Sequence, residues 1–284
     1  MKKSELRKLI INEVYKALKE DEKSELEAIL KDDYPTFVQK LGDNIKDPKF
    51  KEAIKSLADT TPIKTTDIAA DVKKLKPTQN EIAADKSLNY PLTDPATAEA
   101  YLKGGTVAPG GKKIVTGGGG AFIVDGHHRW SQVYVINPDC KIEAMDISNI
   151  KNPMAALKAT QLGIAGNIGK VPTAKAGGVD MLKSGEAEIK KFVIDKITDP
   201  VVDVFKKYKK GNTKEEIANF IWGNVAAMQK NNSPVAGAPK RDIMPQTDDA
   251  PTWKDDAPAL AESKRIQFLA GLITESEYKK FRGY

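Results

Sequence analysis

Leu6, Ile10, Val14 and Leu18 recur at four-residue spacing with Lys, Arg and Glu between them, which predicts an amphipathic helix near the start of the chain. A second helix is expected from Glu25, because Ser24 and Glu27 have the spacing of a capping box. The helical pattern breaks at Thr60-Thr61-Pro62, and Thr78 with Glu81 then predicts a further box and a helix from about Gln79 to about Leu88. Beyond a loop carrying Pro91, Pro95 and Pro109, the short apolar stretches Lys112–Thr116 and Ala121–Asp125 flank Gly117–Gly120. That arrangement predicts a β-hairpin. A helix is expected directly after Asp125-Gly126, with Val133, Tyr134 and Ile136 on it, and Lys141–Ile147 reads as another strand after the Asn137-Pro138-Asp139 turn.

Further along, helices are expected over Met154–Leu162, Ile189–Tyr208 and Glu215–Met228, the last capped by Thr213 with Glu216, while Gly163–Gly178 reads as irregular. Leu260–Phe281 has amphipathic spacing. The sum is an α+β protein: a small mixed-sheet core with N-terminal and C-terminal helical extensions. The segments fall at 1–60 (helical appendage), 61–150 (core), 151–230 (helices packed on the core), 231–258 (a linker or surface strap with five prolines) and 259–284 (amphipathic helices).

At 284 residues, 40% hydrophobic and 30% charged, the chain has length for a sizeable core. No apolar run approaches the ~18 residues of a membrane span, and the N-terminus alternates charged and apolar residues instead of showing a signal-peptide block. The single cysteine, Cys140, excludes an intramolecular disulfide, so a cytoplasmic location is expected. The net charge of +6 is concentrated toward the C-terminal half, most densely in Lys190–Lys214. That run could meet a nucleic-acid backbone, but a solvated helix face is the better-supported reading.

Candidate chemistry gathers at one point. Both histidines of the protein, His127 and His128, are adjacent, with Asp125 on one side and Arg129 on the other, where a strand gives way to a helix. Helix starts present unpaired N–H groups and the positive end of the macrodipole, so this turn suits an anion. Arg129 adds a planar fork of donors for phosphate oxygens, and imidazole N–H groups can donate beside it. Asp125 could orient a histidine or approach a magnesium ion. Glu81 is explained without chemistry by its capping box. The four consecutive glycines lack the lysine and hydroxyl residue of a Walker loop, so they read as hairpin flexibility.

The run Leu75-Lys76-Pro77-Thr78-Gln79-Asn80-Glu81 followed by Phe122-Ile123-Val124-Asp125-Gly126-His127-His128-Arg129-Trp130 resembles the ParB/sulfiredoxin superfamily, over roughly residues 61–150. Within it, the Asp-Gly-His-His-Arg turn is similar to that of ParB-like nucleases and free-serine kinases. The resemblance implies a nucleotide-binding protein, a Mg-dependent phosphotransferase or nucleotide hydrolase taking ATP or another nucleotide such as ADP or CTP. It implies that Thr78, Asn80, Gly126, His127, His128 and Arg129 hold the nucleotide, that Glu81, Asp125 and His128 act in catalysis, and that Asp125 meets Mg. A small molecule or a protein would be the phosphoryl acceptor. Cys140 lies beyond the turn, so sulfinic-acid reduction is not expected, and the C-terminal half shows no convincing helix-turn-helix. Met1–Ile10 and Leu269–Tyr278 resemble termini of tailed-phage proteins, which would fit helical docking to the chain itself or to a phage or host protein. Two alternatives follow: a virion or scaffold protein that keeps the fold without catalysis, and a DNA-binding ParB-like nuclease using Lys190–Lys214.

Overall fold

The computed structural model describes residues 24–58, 65–148, 150–175 and 177–246. The helices expected at Leu6–Leu18 and Leu260–Phe281, and both phage-like termini, lie outside the described residues. The chain divides into two compact units, the first including 24–58 and 157–172, the second 65–156 and 173–244.

In the first unit a helix covers residues 24–29 (α1), followed by α2 (Tyr34–Asn44) and α3 (Pro48–Ala58). Asp33 caps α2 by accepting from the Thr36 N–H at 2.8 Å, and Pro35 fits the first turn, where no intrahelical donor is needed. Leu26, Ile29, Phe37, Leu41, Phe50 and Ile54 are buried here, as are Leu157, Leu162 and Ile164 from the later helix Pro153–Ile168. Lys158 lays its stem inward and caps the end of α1, donating to the Leu30 and Asp32 carbonyls at 2.8 and 2.5 Å. The helix expected to stop at Leu162 therefore continues through Gly163 and Gly166. A Cβ at Gly166 would stand 2.6 Å from Ile54 Cγ2, so the missing side chain lets the two helices approach.

The second unit carries the sheet. Its strands are β1 (Thr66–Asp71), β2 (Lys76–Pro77), β3 (Thr106–Val107), β4 (Ile114–Gly117), β5 (Phe122–Asp125) and β6 (Lys141–Ile147), in the order β1-β6-β4-β5-β2. β1 runs antiparallel along β6 over its whole length, so β3 and β4 share the other edge of β6 in tandem, both parallel to it. β4 and β5 form the expected antiparallel hairpin, and β2 closes the sheet parallel to β5. The fold is thus α+β with a mixed sheet. The glycines of the hairpin turn have a partner: the fully buried Asp146 carboxylate accepts from Gly119 N–H (3.0 Å), Gly120 N–H (2.9 Å) and Thr116 Oγ1 (2.7 Å).

The helices of this unit are α4 (Ala84–Thr93), α5 (Pro95–Lys103), α6 (His127–Ile136), the first residues of α7 (Pro153–Ile168), α8 (Glu186–Lys196), α9 (Asp199–Lys207) and α10 (Lys214–Asn231). α6 is central, contacting α4, α5 and α10 while Trp130, Val133, Tyr134, Val135 and Ile136 are all buried. Trp130 stacks edge-on to Tyr134 and satisfies its indole N–H on the Val72 carbonyl at 2.9 Å. Cys140 is buried, its thiol pushed up to about 11 by desolvation, which keeps it an inert packing residue.

Several elements depart from the sequence reading. α4 starts at Ala84, not near Gln79, because Thr78 and Glu81 spend their polar groups elsewhere, and it continues through Pro91 to Thr93. α5 and β1–β3 are additional. The single helix expected over Ile189–Tyr208 is two, divided at Ile197-Thr198, with Pro200 in the first turn of α9. Thr213 does cap α10, accepting from Glu216 N–H at 3.2 Å, but the Glu216 carboxylate reaches Asn212 N–H at 2.7 Å. Among the described residues no helix is long and apolar enough to cross a membrane.

Asp146→Ala strands two glycine N–H groups and a buried hydroxyl at once. It is expected to cost about 3 kcal/mol or more of unfolding free energy, read from urea denaturation.

Candidate functional site

β2 and β5 are parallel neighbours, with Lys76 opposite Phe122 and Pro77 opposite Ile123, so the chain leaves both strands at the same end of the sheet. This register delivers Thr78-Gln79-Asn80-Glu81 to the turn Asp125-Gly126-His127-His128-Arg129. The two segments bond directly. Thr78 donates its N–H to His127 Nε2 at 3.1 Å, and its hydroxyl to the Ile123 carbonyl at 2.6 Å.

Gly126 makes the elbow between β5 and α6. It sits at φ +94°, ψ 25°, and a Cβ there would lie 2.5 Å from Ile114 Cγ2, so both conformation and space require glycine. As the N-cap of α6 it offers no side chain, and the N–H groups of His127, His128 and Arg129 meet no acceptor among the described residues. Asp125 Oδ1 accepts from the Gly126 N–H at 2.7 Å, and Oδ2 lies 3.9 Å from Arg129 Nη2. The turn thus presents open backbone donors beside a guanidinium, the chemistry of an anion cradle.

The imidazoles face inward. His127 is 2% exposed and its Nε2 accepts from Thr78, which fixes a neutral ring with the proton on Nδ1. Burial, with the Arg241 charge nearby, pushes it down to about 3. His128 Nε2 lies 2.7 Å from Arg241 Nη1 and accepts from that guanidinium, which never gives up its protons. Desolvation first, then Arg241, His127, Lys86 and Arg129, push His128 down to about 2. Both rings are therefore neutral acceptors at physiological pH.

Glu81 lies three residues beyond Thr78, on a loop held by Asp180, whose carboxylate accepts from Ile82 N–H and Leu182 N–H, both at 3.0 Å. Glu81 Oε1 accepts from Gly177 N–H at 3.0 Å. Asn80 is committed to the segment that follows α10. Asn80 donates its N–H to the Pro239 carbonyl (3.0 Å) and its amide to the Ala238 carbonyl (3.1 Å). Val235 N–H bonds the Pro77 carbonyl, and Asn232 Nδ2 bonds the Lys73 and Leu75 carbonyls at 2.8 Å.

Thr78, Asn80, Glu81, Asp125, Gly126, His127, His128 and Arg129 are therefore brought into one neighbourhood. Thr78, Asn80 and His127 hold it together, while the turn N–H groups, Arg129, Asp125 and Glu81 border it. Two residues went unnoticed in the sequence: Asp85, on the first turn of α4, and Arg241 on the strap. The signal for Arg241 was its type, one of five arginines in a chain with 45 basic residues. Among the described residues no group of three or more His, Cys, Asp or Glu is placed to hold a metal ion. Within Lys190–Lys214, Lys191 pairs with Asp195 (2.6 Å), Lys207 with Glu99 (2.5 Å), Lys214 with Asp199 (3.2 Å) and Lys190 with Glu186, the pattern of a solvated face.

No protein-family model, no curated protein and no solved structure matches the chain.

Two outcomes follow from this geometry. Gly126→Ala forces an ordinary side chain into a left-handed position against Ile114, and should lower stability by more than about 2 kcal/mol in chemical denaturation. Because His127 is depressed in the folded protein but ordinary when unfolded, its linkage leaves stability untouched above about pH 6.5. Below that the unfolded chain takes up the extra proton, and stability falls by about 1.4 kcal/mol per pH unit until the folded value near 3 is reached. Melting curves from pH 7 to 4 should show this loss together with the equal one from His128, which is depressed in the same way, and His127→Gln should about halve the slope.

Proposed function

We propose that the chain binds the phosphate tail of a nucleotide at the start of α6 and transfers or hydrolyses its terminal phosphoryl group, as a protein of ParB/sulfiredoxin type. The observation that carries this reading is the glycine elbow with three open N–H groups and Arg129 beside it, joined by the Thr78–His127 bond to the segment bearing Glu81. Phosphate oxygens are the ligands that such a turn stabilises best.

In this reading the N–H groups of His127, His128 and Arg129 receive the phosphate oxygens, and the Arg129 fork neutralises charge that develops as the terminal group moves. Glu81 accepts the proton of the attacking hydroxyl or water. His128 positions Arg241 through Nε2 and moves no proton in the reaction, since its ring is a neutral acceptor there. Asp125 is the one carboxylate on the turn suited to touch a magnesium ion, whose remaining ligands would be phosphate oxygens and water, and magnesium would offset the charge of the phosphates. The local charges are compatible with it: Glu81, Asp85 and Asp125 offset Arg129, Arg241 and Lys86, so a bare polyphosphate would bring uncompensated negative charge.

Calorimetric titration with ATP, ADP, CTP and GTP, with and without magnesium, tests the reading. Saturable binding of at least one nucleotide, strengthened by magnesium and weakened at least about tenfold by Arg129→Ala, is expected. Failure of every nucleotide to bind the parent protein would sink it.

A further inference from the structure

Arg241 is 8% exposed, which makes it a nearly buried cation, and buried charges in proteins are ordinarily paired. It is not paired. Its Nη1 rests on His128, a neutral ring, and its Nε is fully enclosed with no hydrogen-bond partner. Asp85, Glu81 and Asp125 act on it through space without hydrogen-bonding it. Nη2 carries no hydrogen bond either, yet is not among the enclosed unpartnered atoms, so one edge of the guanidinium is held by His128 and the other is open. The side chain it touches is the second residue of α6, whose own N–H is one of the three open donors.

We propose that Arg241 is a ligand-contacting cation of the α6 site, brought there by the strap to grip a polyphosphate bound on the N–H groups of His127, His128 and Arg129. The inference deepens the phosphate reading of that turn and rests on it. A ligand oxygen supplies what the fold withholds: a counter-charge for a buried guanidinium and acceptors for its unused N–H groups. The bonds from Asn232, Val235 and Asn80 fix the strap along the β2 edge and so set the position from which Arg241 reaches the first turn of α6. A polar residue left unsatisfied in the ligand-free fold is what a binding function, and not packing, retains.

The test separates a ligand role from a structural one. Arg241→Gln keeps a donor for His128 and removes the charge, and Arg241→Met removes both. Each variant is melted alone and with inorganic pyrophosphate or ATP, with magnesium, and affinities are measured by calorimetry. The expected result is a ligand-free melting temperature equal to or above that of the parent in at least one variant, with pyrophosphate affinity at least about tenfold weaker in both and partly restored by Arg241→Lys. Unchanged pyrophosphate and ATP affinity in the variants would overturn the inference and leave the nucleotide reading standing. Loss of ligand-free stability in both variants, with affinity intact in the folded fraction, would make Arg241 structural and overturn it equally. Pyrophosphate binding that depends on Arg241, with no nucleotide binding, would uphold the inference and remove the nucleotide function. If the parent binds neither ligand, both fail.

Discussion

The bond from the Thr78 N–H to His127 Nε2 joins two segments 49 residues apart, and the local architecture depends on it. It is possible only because β2 lies parallel to β5, so that both chains emerge at one end of the sheet, and because Gly126 turns the chain sharply enough to aim the first side chain of α6 back at the β2 exit. In exchange the bond fixes the tautomer of His127 and satisfies a buried backbone donor. The open N–H groups of α6 are then held in place by a helix whose remaining length is core. Trp130, Val133 and Ile136 anchor the same element whose first-turn N–H groups lack acceptors among the described residues. A donor array anchored in this way pays little reorganisation on binding an anion.

Electrostatics give the region its second character. Two neutral imidazoles, the Arg241 guanidinium with Arg129 and Lys86, and three carboxylates at longer range form a balanced but incompletely hydrogen-bonded group. The contrast with Asp146 is instructive. That carboxylate is equally buried, but three donors converge on it, and it serves only to lock the β4–β5 hairpin. At similar burial the Asp146 carboxylate meets three donors, whereas Arg241 Nε meets no acceptor.

The strap links these two themes. Its backbone and that of residues 73–80 exchange bonds through Asn232, Val235 and Asn80, which converts a proline-rich segment of little intrinsic structure into a fixed edge. Proline-rich segments lack donors for regular pairing, so side-chain amides such as those of Asn80 and Asn232 carry much of the attachment. Arg241 reaches His128 only because that attachment sets its starting point.

The hairpin, β6, α6 and α10 were legible in the sequence because their patterns are local: alternating apolar runs, a glycine turn, and a capping threonine. The Asp125–Arg129 turn was legible for the same reason, as adjacent residues of unusual type at a strand-to-helix junction. What the sequence alone could not decide is how Thr78 and Glu81 are used. Their spacing fits a local capping box, yet the tertiary fold offers Thr78 a buried histidine and a carbonyl, and offers Glu81 the Gly177 N–H, so the box gives way and α4 starts later. Nor could it place Arg241, which is 113 residues from His128. Local propensities are worth about a kilocalorie per mole and are read one turn at a time, whereas burial of a donor or a charge is settled by whichever partner the fold brings near, and that partner has no fixed distance in sequence.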